Sequence, residues 1–122
     1  MNKISKIVIC LLAMLIIDIF WINTVMKTNY GVMVRKIQKT EMKMNYLAGF
    51  MAYVFMAIAF VQIVVKYNLS LLDAFIFGLS LFAVYDFTTG AIFTGWNWPL
   101  AYLDILWGGI LFATLTYIYK KL

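Results

Sequence analysis

Four apolar blocks, each about as long as a bilayer is thick, limit what this chain can fold into. They cover residues 7–26, 46–65, 74–94 and about 100–119. Each is close to the ~20 residues that carry an α-helix across ~30 Å of hydrocarbon. Hydrocarbon offers no partner to a backbone N–H or C=O, so such blocks must form helices. The composition agrees: 66% of residues are hydrophobic and 12% charged, against roughly 25% charged in a soluble domain. The expected fold is an all-α integral membrane protein, a compact four-transmembrane-helix bundle. It is expected to form a single transmembrane domain over residues 1–122, multi-pass in the cell membrane.

The first block follows Lys3 and Lys6 and so looks like a secretory signal. It is too long for a signal's apolar region, no small-x-small cleavage site follows, and Asp18 interrupts it, so it is read as a retained span. Cys10 is the only cysteine and there is no histidine. No intrachain disulfide, Cys/His metal cluster or neutral-pH histidine shuttle is therefore available. Cys10 reads as a small apolar side chain. No motif names a cofactor or a metal. The net charge is +5, and every Lys and Arg lies outside the apolar blocks. Anionic lipid headgroups are a simpler partner for them than nucleic acid, which is not expected to bind.

Asn68 and Ser70 are placed to satisfy free backbone donors at the start of the third span. The very short GWNWP makes the third and fourth spans antiparallel neighbours, with Pro99 in a first helical turn. Trp96 and Trp98 suit the headgroup level. Residues 27–45 are different. Tyr30, Met33, Ile37 and Met44 recur at helical spacing among Arg35, Lys36, Lys39 and Lys43. An interfacial helix with its apolar face down is one reading, and a charged loop is the other. This connection holds Lys27, Arg35, Lys36, Lys39 and Lys43. The opposite side holds Lys3, Lys6, Lys66, Lys120 and Lys121. The positive-inside rule therefore ties and gives no orientation.

The acids narrow the search for a site. Asp73 and Glu41 fall at or beyond span edges, while Asp18, Asp86 and Asp104 fall inside. Buried acids are costly and usually face a bundle interior or polar cavity. Call side A the side reached after the first span. Asp18 and Asp86 then lie ~3 Å from the midplane towards A, and Asp104 ~8 Å. Asn23 is near in depth to Asp104. Thr89 shares a helix face with Asp86, as Trp107 does with Asp104 and Trp21 with Asp18. Tyr85 adjoins Asp86, and Thr88 is a further polar neighbour. No Lys or Arg lies inside a span. Three close anions without a base would repel, so at least one proton is expected to be shared among them. A proton, a metal ion, a small cationic ligand or a water-filled vestibule would each answer the charge deficit. Protonated packing polars are the bland alternative. Gln62 is the only strong polar residue of the second span, which reads as scaffold. Gly90, Gly108 and Gly109 read as sites of close helix approach.

Three motifs carry a resemblance that covers the chain from end to end: DIFWI from Asp18 to Ile22, YDFTTGAIFTGW over residues 85–96, and LDILWG over residues 103–108. In their order and separation they resemble a bacterial family of small predicted membrane proteins, catalogued as a domain of unknown function. Thr89 stands where that family usually has asparagine. Asn97 follows Trp96 where a proline is usual. The resemblance implies four spans and brings no substrate or activity.

Three functions remain open on the sequence. The first is a small transporter or ion-coupled permease, expected as a homo-oligomer because four helices enclose little volume. Asp18, Asp86 and Asp104 would bind a proton, cation or other ligand, supported by Asn23, Thr88, Thr89, Tyr85, Trp21, Trp96 and Trp107. The second is a membrane-embedded enzyme acting on a lipid or isoprenoid, with paired carboxylates as general acid and base or holding Mg²⁺. The third is a structural or accessory membrane subunit.

Overall fold

A computed structural model describes residues 1–122. It contains α1 (Lys3–Trp21), α2 (Lys27–Gln38), α3 (Tyr46–Ala59), α4 (Leu71–Ile92) and α5 (Trp98–Lys121), with no strand. Wide π turns follow α1 at Ile22–Met26 and α3 at Phe60–Val65. Four continuous helical stretches are long and apolar enough to cross a membrane: Lys3–Gln38, Tyr46–Val65, Leu71–Ile92 and Trp98–Lys121. The protein is an all-α, four-helix membrane-spanning bundle.

The helix ends follow local chemistry. Asn2, Asn45, Ser70 and Asn97 each cap a helix by accepting a hydrogen bond from the N–H three residues on. Pro99 sits in the first turn of α5. Asn68 has a different task from the capping role its position suggests. It takes a left-handed φ of 50° in the turn, and its side chain accepts from the Lys120 ammonium at 3.0 Å. The α4–α5 turn reverses through Gly95 at φ 86°, a conformation open to glycine at little cost.

The α4–α5 hairpin is the tightest packing in the molecule. A Cβ on Gly78 would meet the Gly108 carbonyl and Phe112, and one on Gly108 would meet Phe82. A Cβ on Gly109 would strike Phe75, and one on Gly90 would strike Trp96 and Trp98. Lipid gives apolar helices no hydrophobic reason to associate, so close backbone approach through small residues does that work. The core joins Cys10 and Met14 of α1, Phe60, Val64 and Val65, Ala74 of α4, and Leu111, Phe112 and Leu115 of α5. All of these lie in the half of the bundle away from side A.

The second span is therefore packed most closely at one end. Its Phe60–Val65 turn contributes to the core, while α3 on side A has no buried residue. Gly49 meets nothing that would permit close approach. The bundle is consequently dry and closed in one half and looser in the other.

The connection after the first span differs from both sequence readings. Residues 27–38 are neither a loop nor a separate helix, but a continuation of the first span through a π turn. The Lys3–Gln38 stretch has 36 residues, a contour of ~54 Å that exceeds the ~30 Å hydrocarbon core. The apolar side of α2 covers the protein rather than headgroups. The Tyr30 ring packs edge-on against Trp96, the buried Met33 receives the Asn97 N–H on its sulfur, and Ile37 lies beside Gly95. Met44, by contrast, is exposed in the non-helical 39–45 segment.

Candidate functional site

Two Asp-x-x-Trp sequences meet between α1 and α5. Asp18 and Trp21 share one face of α1, and Asp104 and Trp107 share one face of α5. The helices run in opposite directions through the membrane. Each tryptophan is thereby brought to the depth of the other helix's aspartate. The two indoles stack with centroids 4.5 Å apart and planes 3° from parallel.

The arrangement is complete on one side only. The Trp107 indole N–H donates to Asp18 Oδ1 at 2.8 Å, and the Tyr53 hydroxyl donates to Oδ2 at 2.5 Å. Asp18 thus has a donor on each oxygen. Asp104 lies beside Trp21 and faces Asp86, but the Trp21 indole N–H makes no hydrogen bond. Asp86 is wholly buried. Its Oδ1 accepts from the Tyr30 hydroxyl at 3.2 Å, and its Oδ2 has no donor. Asp104 is 9% exposed, with the Asp86 carboxyl and the Trp21 indole as its close polar neighbours.

Asp104 opens onto a cavity of about 480 Å³ in the side-A half. Asp18, Trp21, Asn23, Lys27, Tyr30, Tyr85 and Asp104 line it with Ile22, Met26 and Phe82. Met42, Met44 and Tyr46, at the start of the second span, complete the wall. The cavity lies on the side-A side of the Tyr53–Asp18 bond, where α3 buries no residue. The π turn at Ile22–Met26 supplies three of the lining residues, Ile22, Asn23 and Met26. Such turns recur at functional sites because they shift helix register.

The structure brings together Asp86 with Asp104, and Asp18 with Trp107. Trp21, Asn23 and Tyr85 join the cavity wall. Asp86 stands behind Asp104 instead of lining the cavity, and the three carboxylates do not converge on a metal-sized point. Two threonines stand apart. Thr89 donates back to the Tyr85 carbonyl at 2.7 Å, and Thr88 is exposed. Trp96 packs near-parallel on Phe93, with its indole N–H buried and unpaired.

Tyr30 and Tyr53 are the site residues that sequence reasoning passed over. Both are tyrosines in apolar surroundings, which read as bulk and not as donors. The second span is more than scaffold, since its Tyr53 holds Asp18, while Gln62 is exposed. The signal available was depth: Tyr53 lies within ~4 Å of its span's midpoint, close to the level of Asp18. Lys27 is a second departure. It lies outside the first apolar block, yet the unbroken helix places it on the cavity wall. It forms no ion pair there, because the salt bridge in the structure is Arg35–Glu41, at 3.3 Å on the surface.

A second recess, of about 490 Å³, lies on the other side of α2 and is lined in part by Lys27, Lys36 and the Arg35–Glu41 ion pair. The two recesses share Lys27 and Met42.

Residues 3–119 match a family described as predicted membrane protein (DUF2177). The chain belongs to that family. The family's description agrees with the apolar helices and names no reaction. No curated protein and no solved structure matches the chain.

Proposed function

We propose that this multi-pass membrane protein is a small ion-coupled permease in which the Asp86–Asp104 pair exchanges a proton for a cation. One observation carries the reading: a nearly buried carboxyl, Asp104, stands between a wholly buried carboxyl and a cavity. Two carboxyls in contact hold a single proton more easily than two negative charges. When a cation reaches Asp104, the pair releases that proton, and the local charge is conserved. Tyr30 and Tyr85, Trp21, Asp18 and Lys27 are the polar or charged neighbours that face the exchange. Purified protein in liposomes with a trapped pH dye tests this. Wild type is expected to exchange protons for tetramethylammonium supplied on the opposite side, and Asp86→Asn to fall to the level of empty liposomes. Equal flux in the two would overturn the proposal.

A lipid-active enzyme is the second reading, favoured by Lys27. That residue lines both the acid-bearing cavity and the basic recess outside α2. An anionic headgroup held in the recess would therefore lie next to carboxylates able to act as acid and base. Turnover of a lipid panel by purified protein supports this reading, and no turnover with intact proton flux rejects it.

A further inference from the structure

We infer that the side-A cavity takes a lipophilic organic cation, its charge at Asp104 and its apolar body against the aromatic and methionine wall. This rests on the proposed exchange at Asp86–Asp104 and names the class of substrate that drives it.

Three features point to that class. The first is the acidic floor. Asp104 is more than nine-tenths buried and faces the cavity with only Asp86 and the Trp21 indole as close polar neighbours and no ion pair, whereas Asp18 beside it is held by Tyr53 and Trp107. A positive charge is what this floor lacks. The second is the wall. Trp21, Met26, Phe82 and Tyr46 offer apolar and aromatic surface. An inorganic cation needs several converging oxygens in place of its water shell, and the carboxylates do not converge on such a point. An organic cation keeps its charge spread over carbon and gains from π faces instead. The volume of about 480 Å³ lies within the ~300–1,000 Å³ of ordinary small-molecule sites.

The third is access. α3 has no buried residue, and its Tyr46 is 81% exposed where it lines the cavity. The wall formed by the second span is thus thin and lipid-facing. An amphiphilic cation partitioned into the bilayer can pass beside α3 without first crossing water.

Lys27 bears on the same wall and carries the opposite preference. It lies nine residues beyond Asp18 along one helical stretch, ~13 Å nearer side A than Asp18 and so ~8 Å nearer side A than Asp104. A cation at Asp104 is therefore separated from it in depth, whereas an anion would be drawn to the rim and repelled at the floor.

Binding of tetraphenylphosphonium and of tetraphenylborate to the purified protein in lipid nanodiscs tests the inference. The two ions have nearly the same shape and opposite charge, and protein-free discs correct for partitioning. Saturable binding of the phosphonium is expected, with quenching of tryptophan fluorescence and no saturable borate binding. Asp104→Asn should abolish it. Asn23→Lys, at an exposed position on the wall, should also abolish it through repulsion, and serves if Asp104→Asn does not fold. Equal binding of the two ions, or phosphonium binding unchanged in a folded variant, would overturn the inference. The parallel proton-flux assay separates the two proposals. Flux lost in Asp86→Asn without phosphonium binding rejects the substrate class alone. Phosphonium binding with flux indifferent to Asp86→Asn rejects the exchange and leaves the cation site.

Discussion

Asp18 and Asp104 are the same residue type in the same local motif, three residues before a tryptophan, yet their surroundings divide their roles. Asp18 accepts from Tyr53 and Trp107 and is saturated. Asp104 faces a second carboxyl and a cavity. The first is thus a fastening between three spans, and the second is available to a ligand. Tyr53 gives this a measurable consequence. Tyr53→Phe keeps the ring and leaves Asp18 Oδ2 without its donor. A destabilisation of about 1 kcal/mol is expected, between the ~0.6 kcal/mol average for hydrogen bonds across membrane helices and the ~1.5–3 kcal/mol for charged partners. Tyr67 is exposed and stands as the control. If unfolding in mixed micelles responds equally to Tyr53→Phe and Tyr67→Phe, Asp18 is not fastened as described. Neither tyrosine hydroxyl was legible as a site donor in the sequence. A phenol in a greasy segment becomes polar in effect only when tertiary structure presents an acceptor.

At the level of elements, the spans differ in how they are held, and their glycines show why. Gly78 lies under Phe112 and the Gly108 carbonyl, with no room for a methyl group. Gly49 of α3 has open space around it. Gly78→Ala is expected to force α4 and α5 apart at a cost of ~1–3 kcal/mol, the usual range for overpacking. Gly49→Ala should be neutral or slightly stabilising, since alanine is the better helix former. Thermal unfolding of the purified variants checks the pair, and equal loss in both would contradict the tight hairpin. The number of spans was plain from block length, because bilayer thickness fixes it. Close approach at Gly108 and Gly109 followed from their small size. The continuation of the first span into α2 was not legible. A π turn changes only the hydrogen-bond register and leaves no composition mark at Ile22–Met26. The charged 27–45 segment then read as a surface feature, although Tyr30 and Met33 in fact pack inward. Depth arithmetic could bring the three acids to one half of the membrane. It could not assign azimuth, which is why Asp86 was not distinguishable from the cavity-lining pair.

The whole molecule is asymmetric across the bilayer: its apolar core fills one half and its acid-floored cavity the other. That division follows from how the second span is attached, closed by Phe60, Val64 and Val65 at one end and open along α3 at the other. It predicts a one-sided pattern of chemical access. Asn23→Cys should react with a membrane-impermeant maleimide from side A, the side that also labels Arg35→Cys. Lys66→Cys should react from the opposite side. Native Cys10 is fully buried in the core and should stay silent in all three. Ten basic residues divide equally between the two faces, so the labelled side also fixes the orientation that charge leaves balanced. Labelling of Asn23→Cys from the Lys66 side would mean that the cavity opens through the dry half, and the fold's division into core and cavity would not stand. Slowing of Asn23→Cys labelling by tetraphenylphosphonium, with Arg35→Cys unaffected, is the result expected if the ligand occupies the cavity. Equal slowing at both would place the cation on the surface of side A instead.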